Sequence, residues 1–208
     1  IRDAGVRWII TDDPKAITQL RHECPKVTVL TAEDAAKRSA PTPSSKLPSA
    51  GSLLVYTSGT TGQPKGALLT AAQLQASAEG SRARMPHSPE DRWLVCLPLC
   101  HIAGLSMLVR ALRCRGSALL HRGFDPQRVS EALQRDNVTQ LSLVATMLER
   151  LLAQSNAGER WDTLRLILLG GGTAPVTLIQ NAWDRGLPVA PTYGLTEAAS
   201  QVATRDPH

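Results

Sequence analysis

Aromatic side chains are scarce in this chain: one Phe, two Tyr and four Trp, 3% of 208 residues. Leu, Val, Ile and Ala must therefore fill its core. Long apolar runs are also missing. None approaches the ~20 residues a membrane helix needs, and the start IRDAGVRWIITDD lacks the apolar stretch and small-residue cleavage site of a signal peptide. Cysteine is sparse. Cys24, Cys96, Cys100 and Cys114 include no CxxC pair. The spacing of Cys96 and Cys100 beside His101 invites a metal site. However, WLVCLPLCHIAG reads as an apolar strand and its exit, and no second ligand pair stands elsewhere, so buried structural thiols are expected. Reduced thiols in a large domain fit a cytoplasmic protein. Dense basic runs are absent too. The net charge is +5 and the pI near 9.3, but the arginines are scattered. Only RALRCRG is dense, and it lies on an apolar helix. A mildly basic enzyme surface is expected rather than a nucleic-acid site.

With 42% hydrophobic and 20% charged residues, the chain suits one domain with a real core, or one large domain split in two. It opens without Met, inside an apparent strand, and stops at TRDPH, so a piece of a longer enzyme is expected. Strand-like runs alternate with helical ones. VRWIIT, KVTVLT, SLLVYT, DRWLVCLP, SALLH, VTQLSLV, LRLILL and LPVAPTYG read as strands, SLLVYT as a buried one whose loop runs on to a helix opened by Thr70. A short helix is expected at 34–38. TAAQLQASAEGSRAR, IAGLSMLVRALRCRG, FDPQRVSEALQRDN, ATMLERLLAQS and APVTLIQNAWDRG read as longer helices, and TEAASQVA as a helix start. Asp125 followed by Pro126 is an entry signature, and Gly116 and Gly186 are stops. The segment 39–51 holds three Pro and four Ser and is a linker or surface loop. The predicted class is α/β, mostly parallel sheets flanked by helices. Ligands of such sheets bind beyond the carboxyl ends of strands. The glycine-rich stretches TSGTTGQPKG, GGG and YGLTE fall there.

The first of these loops carries phosphate chemistry. Gly59, Gly62 and Gly66 allow positive φ and close approach to a ligand. Successive amides can form an anion nest. Thr57, Ser58, Thr60 and Thr61 add hydroxyl donors, and Lys65 adds a mobile positive charge. The Pro64-Lys65-Gly66 ending departs from the Walker pattern GxxxxGK[ST], which disfavours a P-loop kinase or ATPase. A plain surface loop would not need all these residues together.

YTSGTTGQPKG resembles the phosphate-binding signature of adenylate-forming enzymes, which include acyl-CoA synthetases, luciferases and peptide-synthetase adenylation domains. The pattern [ST]SG[ST]TGxPKG is matched from Thr57 to Gly66 without departure. LPLCHIAG resembles the family's next motif, and PTYGLTE its aromatic-Gly-x-Thr-Glu motif. The resemblance implies ATP-dependent activation of a carboxylate as an acyl-adenylate, with Mg2+, and transfer to a thiol, usually coenzyme A. It implies that Thr57, Ser58, Gly59, Thr60, Thr61, Gly62 and Lys65 grip phosphates. Thr196 would bond the α-phosphate, and Glu197 would hold magnesium. Tyr193 would stack on adenine beside Gly194, with Gly170, Gly171 and Gly172 against the purine and acyl group. Lys65, Thr196 and Glu197 would be the catalytic residues. Taken singly, Glu197 could instead be a helix N-terminal acid, and Tyr193 an ordinary core aromatic. No general base is needed, because the acid is already ionised at neutral pH.

LPLCHIAGLSMLVRAL, LLHRGFDPQRVSEAL, VTQLSLVATMLERLL and YGLTEAASQVAT resemble bacterial o-succinylbenzoate–CoA ligases of menaquinone biosynthesis. Ala145 departs from their usual proline. The resemblance implies a substrate with a second, unactivated carboxylate. His101, Arg110, Ser142 and Gln201 are the candidates to line its pocket. Arg110 would either fork onto that carboxylate or run its stem along the helix to place its head in solvent. A CoA ligase for another aryl or medium-chain acid, and a nucleotide-binding module without catalysis, stay open. The chain is expected to be a partial N-terminal AMP-binding domain over 1–208. The start of that domain, the ribose-binding Thr-Gly-Asp motif and the lid domain with its lysine would lie outside it. The expected partners are a small carboxylic acid, ATP and CoA, with no nucleic acid and no membrane span; a homo-oligomer stays open.

Overall fold

The computed structural model describes residues 6–37, 52–57, 64–85, 87–155 and 160–207. The linker expected at 39–51 lies outside them. The chain forms two compact units, 1–47 and 48–208. In the first, β1 (Trp8–Ile10) and β2 (Thr28–Leu30) pair in parallel, joined through α1 (Pro14–Glu23) and followed by α2 (Ala32–Lys37). The sequence expectations do not include α1. Its entry is nevertheless written locally: the Asp13 side chain accepts from the Lys15 amide, and Pro14 takes the first helical position.

The second unit opens on an antiparallel hairpin, β3 (Ser52–Thr57) and β4 (Lys65–Thr70), in register from Ser52↔Thr70 to Thr57↔Lys65. This corrects two expectations. SLLVYT is a half-exposed strand in which Val55 alone is buried, and its loop leads to a second strand rather than straight into a helix. KGALLT has little intrinsic strand character. Pairing with β3 and burial of Leu69 among Ile102, Ala199, Leu53 and Leu74 make it one. The helix α3 (Ala71–Arg84) then starts at Thr70 through a capping box with Gln73.

The main sheet is built from β5 (Arg92–Val95), β6 (Ser117–Leu120), β7 (Gln140–Leu143), β8 (Leu166–Leu169), β9 (Val189–Leu195) and β10 (Ser200–Thr204), in the order β10-β9-β8-β7-β5-β6. All neighbours are parallel except β9 and β10. The crossovers are α4 (Ile102–Cys114), α5 (Pro126–Arg135), α6 (Ala145–Gln154) and α7 (Val176–Asp184). Asp125 caps α5 by accepting from the Arg128 amide, as its sequence foretells.

Both sheet faces are buried, which is why these strands read as continuous apolar runs. Leu94, Leu141, Leu143, Ile167, Leu169 and Val189 face a cluster with Val129, Leu133, Leu148 and Leu151 of α5 and α6. Trp93, Val95, Leu166, Leu168 and Ala190 face the other way, against Met107 and Ala111 of α4. At the amino ends of the strands, Asp91 is buried. It accepts from the Ser88 amide at 2.7 Å, Thr139 Oγ1 at 2.9 Å, Gln140 Nε2 at 2.6 Å and the Arg165 guanidinium. Burial opposes its charge, but these donors hold the carboxyl below its ordinary range. The knot ties β5, β7 and β8 together, leaving the opposite ends free for loops.

TEAASQVA does not start an α-helix. Thr196–Ala198 make a single 3-10 turn, Ala199 (φ 56°) and Ser200 (φ 111°) take positive φ, and the chain reverses into β10. The free edge of β9 outweighs the helix propensity of Glu and Ala. α4 ends on left-handed Arg115 (φ 58°) rather than on Gly116, whose amide nevertheless bonds back to the Ala111 carbonyl. All four cysteines are free, and Cys96 is buried, with its thiol pushed up to about 11 by burial. Cys100, expected to be buried, is exposed, because the turn at Leu99 and Cys100 has already left the sheet.

Candidate active site

A cleft of about 400 Å3 opens beyond the carboxyl ends of β5, β7, β8 and β9, where a parallel sheet is expected to bind ligands. Leu97 and Pro98 enter it after β5, Ser142, Leu143 and Val144 from β7, Gly170 and Gly171 after β8, and Thr192, Gly194 and Leu195 from β9. His101, Ile102, Ala103 and Arg110 of the α4 segment form one wall, and Thr196, Ser200 and Gln201 another.

Two glycines make this geometry attainable. Gly171 has φ +80° where the chain leaves β8, a conformation that disfavours a side chain. At Gly194 a Cβ would stand 2.0 Å from the Ser200 carbonyl oxygen, so only glycine lets β10 close over β9.

Arg110 is the buried cation of the site, 2% exposed. It therefore does not reach solvent along its helix. Its Nη2 donates to Ser200 Oγ at 3.3 Å, and its guanidinium carbon lies 5.8 Å from the Trp93 ring centroid. Ser106 Oγ, which donates to the Ala103 carbonyl at 3.0 Å, lies 3.2 Å from Ser200 Oγ. Burial presses the Arg110 pKa down to about 10, still charged at neutral pH. Among the described residues it forms no ion pair. A buried cation without a carboxylate partner is energetically costly, and this one lines a cleft.

The residues expected from sequence separate into three groups. His101, Arg110, Ser142, Gln201, Gly170, Gly171, Gly194 and Thr196 line the one cleft. Gly172, Tyr193 on β9 and Glu197 are exposed nearby without lining it, so Tyr193 is not a core aromatic. Thr57 and Lys65 face each other across the hairpin, where Thr57 Oγ1 donates to the Lys65 carbonyl at 3.4 Å. Ser58, Gly59, Thr60, Thr61 and Gly62 lie outside the described residues. Ser200 is one of the cleft residues the sequence expectations omit, and the one that meets Arg110. Read as part of a helix, TEAASQVA gave no reason to turn it toward Arg110.

Glu197 is an exposed carboxylate at the 3-10 turn. Among the described residues no three His, Cys, Asp or Glu side chains gather to hold a metal. A single carboxylate beside a cleft fits a hard divalent ion that draws its other ligands from phosphate oxygens and water. Among the described residues, no helix is long and apolar enough to cross a membrane.

The comparisons agree with this architecture. The 2-succinylbenzoate–CoA ligase of Geobacillus kaustophilus (strain HTA426) is 44% identical over 154 residues, covering 74% of this chain and 31% of that protein. The corresponding ligase of Bacillus cereus (strain AH820) is 42% identical over 151 residues, covering 73% of this chain and again 31% of the relative. The chain thus spans about a third of the length of these curated relatives. Among solved structures, o-succinylbenzoate coenzyme A synthetase from Bacillus subtilis in complex with ATP and magnesium ion superposes with a TM-score of 0.86 at 35% identity. It covers 99% of this chain and 43% of that one. The same enzyme with its acyl-adenylate intermediate gives 0.87 at 34% identity, over 99% of this chain and 53% of that one. The AMP-binding enzyme family matches residues 1–208 in full, and the chain belongs to that family.

Proposed function

We propose that this chain is part of the large N-terminal domain of an AMP-forming acid–thiol ligase acting on o-succinylbenzoate in the cytoplasm. A carboxylate oxygen of the acid attacks the α-phosphorus of ATP, forming the acyl-adenylate and releasing pyrophosphate. The thiol of coenzyme A then attacks the acyl carbonyl, and AMP departs. The transition state of the first step spreads negative charge over phosphate oxygens, so positioning and charge neutralisation supply the catalysis. In this reading the hairpin loop with Thr57 and Lys65 grips the β- and γ-phosphates, Thr196 bonds the α-phosphate, and Glu197 holds Mg2+. Gly170, Gly171 and Gly172, with Tyr193 and Gly194, border the adenylate. His101 stands at the cleft mouth. Arg110, Ser142 and Gln201 hold the second carboxylate.

One observation carries the choice of acid. The cleft places a buried cation, Arg110, which has no carboxylate partner among the described residues, on the same wall as apolar Ile102 and Ala103. An acid whose aryl body carries a remote anion suits that combination. The cleft volume of about 400 Å3 falls within the roughly 300–1,000 Å3 of small-molecule sites. The 35% identical Bacillus subtilis synthetase, described with ATP and magnesium, supports the nucleotide half.

The test is a panel of carboxylates offered to the full-length protein with ATP, Mg2+ and coenzyme A. Release of AMP and pyrophosphate with o-succinylbenzoate, and weak turnover of analogues lacking the second carboxylate, is expected. Preference for monocarboxylates would reject the assignment of the acid. ADP as product would reject the reaction class.

A further inference from the structure

Behind the cleft wall lies a short polar chain. Ser81 of α3 is 4% exposed. Its Oγ donates to Gln201 Oε1 at 3.2 Å and lies 3.3 Å from His87 Nε2. A serine hydroxyl has a single hydrogen. Once that hydrogen goes to Gln201, the His87 contact is satisfied only if Nε2 carries the imidazole hydrogen and donates to Ser81. Gln201 is then held at both ends, since its Nε2 donates to Thr204 Oγ1. The second hydrogen on that nitrogen is left for the cleft that Gln201 lines.

The surroundings of His87 favour a neutral ring. It packs edge-on against Trp93, with centroids 5.5 Å apart, and Trp93 in turn carries Arg110 on its face. Burial and the Arg110 charge lower the His87 pKa to about 4; Arg165 also lowers it, while Asp91 and the Gln140 side chain pull the other way. His87 Nδ1 and Gln140 Oε1 are both buried without a bonded partner. Their geometry falls short of a hydrogen bond, although the Gln140 side chain still acts on the ring as an acceptor. At that geometry a hydrogen on Nδ1 would find no bonded acceptor in Gln140. It would turn Nε2 into an acceptor, draw the Ser81 hydrogen away from Gln201 and reverse the Gln201 amide. The tautomer of His87 therefore decides which end of Gln201 faces the substrate.

We propose that His87, which does not line the cleft, is a positioning residue: through Ser81 it fixes the Gln201 amide with an N–H toward the substrate, so that Gln201 and Arg110 together present donors to an acceptor-rich acid. This rests on reading the cleft as the acid site. With the amide reversed, a carbonyl oxygen would face the substrate carboxylate, and selectivity for the second carboxylate would fall.

The test uses the full-length protein and steady-state kinetics. His87→Leu keeps the bulk and removes the donor. It is expected to raise KM for the acid about tenfold, the worth of one hydrogen bond to a charged group, with KM for ATP unchanged. Ser81→Ala should do the same, and the double variant should be no worse than either single one. His87→Gln, whose amide can donate to Ser81, should restore part of the affinity. Equal changes in both KM values, additive effects, or no change with the acid would overturn the proposal. Nitrogen-15 NMR of the imidazole gives a readout independent of turnover. A neutral Nε2–H ring at pH 7 is expected, and an Nδ1–H ring overturns the relay. If the protein prefers a different acid, the substrate assignment falls and the relay is measured with that acid. If no carboxylate turns over, the ligase reading falls and the NMR signature alone decides the relay.

Discussion

Replacing Arg110 by Met should make the protein more stable and a worse enzyme. The side chain is 2% exposed, and burial presses its pKa down to about 10. At about 1.36 kcal/mol for each tenfold change in proton affinity, the charged form is roughly 3 kcal/mol worse off in place than in water. Against this stand the Trp93 face at 5.8 Å, worth about 1 kcal/mol, and the 3.3 Å bond that Arg110 donates to Ser200, worth about 1 kcal/mol more. The balance favours an apolar replacement of similar length by about 1 kcal/mol, as found for other buried charges. Urea denaturation of the Arg110→Met variant at pH 7 should show a higher midpoint with an unchanged slope. Meanwhile kcat/KM for o-succinylbenzoate should fall by about 10- to 100-fold, the loss of a charged hydrogen bond of roughly 1.5–3 kcal/mol. A variant that loses several kcal/mol of stability while keeping its kcat/KM would refute the reasoning and make Arg110 a structural residue.

Other outcomes follow from the same geometry. Gly104→Ala should destabilise by roughly 1–3 kcal/mol, read as a lower thermal midpoint, because its Cβ would meet the Pro98 and Leu97 carbonyl oxygens at 2.3 and 2.8 Å. His87, with a pKa near 4 against an ordinary 6.5, takes up its proton later in the folded than in the unfolded chain. Stability should therefore fall as pH drops from about 6.5 to about 4, and His87→Leu should flatten that part of the profile. Glu197→Gln should raise the Mg2+ concentration needed for half-maximal pyrophosphate release, leaving KM for the acid unchanged; a shift in the acid KM alone would reject the metal role.

Much of the α/β pattern was legible because burial on both faces leaves long apolar runs, as in LRLILL, and because Asp125-Pro126 and Thr70 write helix entries into local sequence. What escaped was set by pairing. KGALLT becomes a strand only beside β3, and SQVAT only on the open edge of β9, so neither carries its own periodicity. The same limit hid Ser200, whose contact with Arg110 exists only once the chain reverses at Ala199. Arg110 stood out as a charge on an apolar helix, but its burial depends on Trp93, Ser106 and Ser200 from three separate segments. His87 gave no signal at all. Its direct contacts, Ser81 in α3 and Trp93 in β5, are close in sequence, but no periodicity marks that they meet on the ring.

The reversal after β9 also fixes how the two halves of the site can move. Thr196 and Glu197, proposed for the nucleotide side, and Ser200 and Gln201, on the acid side, sit on one uninterrupted stretch whose ends are both stitched into the same sheet edge, Leu195 against Ser200 and Gly194 against Gln201. Only the 3-10 turn Thr196–Ala198 and Ala199 lie between those pairings. Nucleotide contacts that draw Glu197 outward would carry the Gln201 end of the cleft with them. Phosphate contacts at Glu197 and acid contacts at Gln201 would thus be placed by one and the same backbone turn.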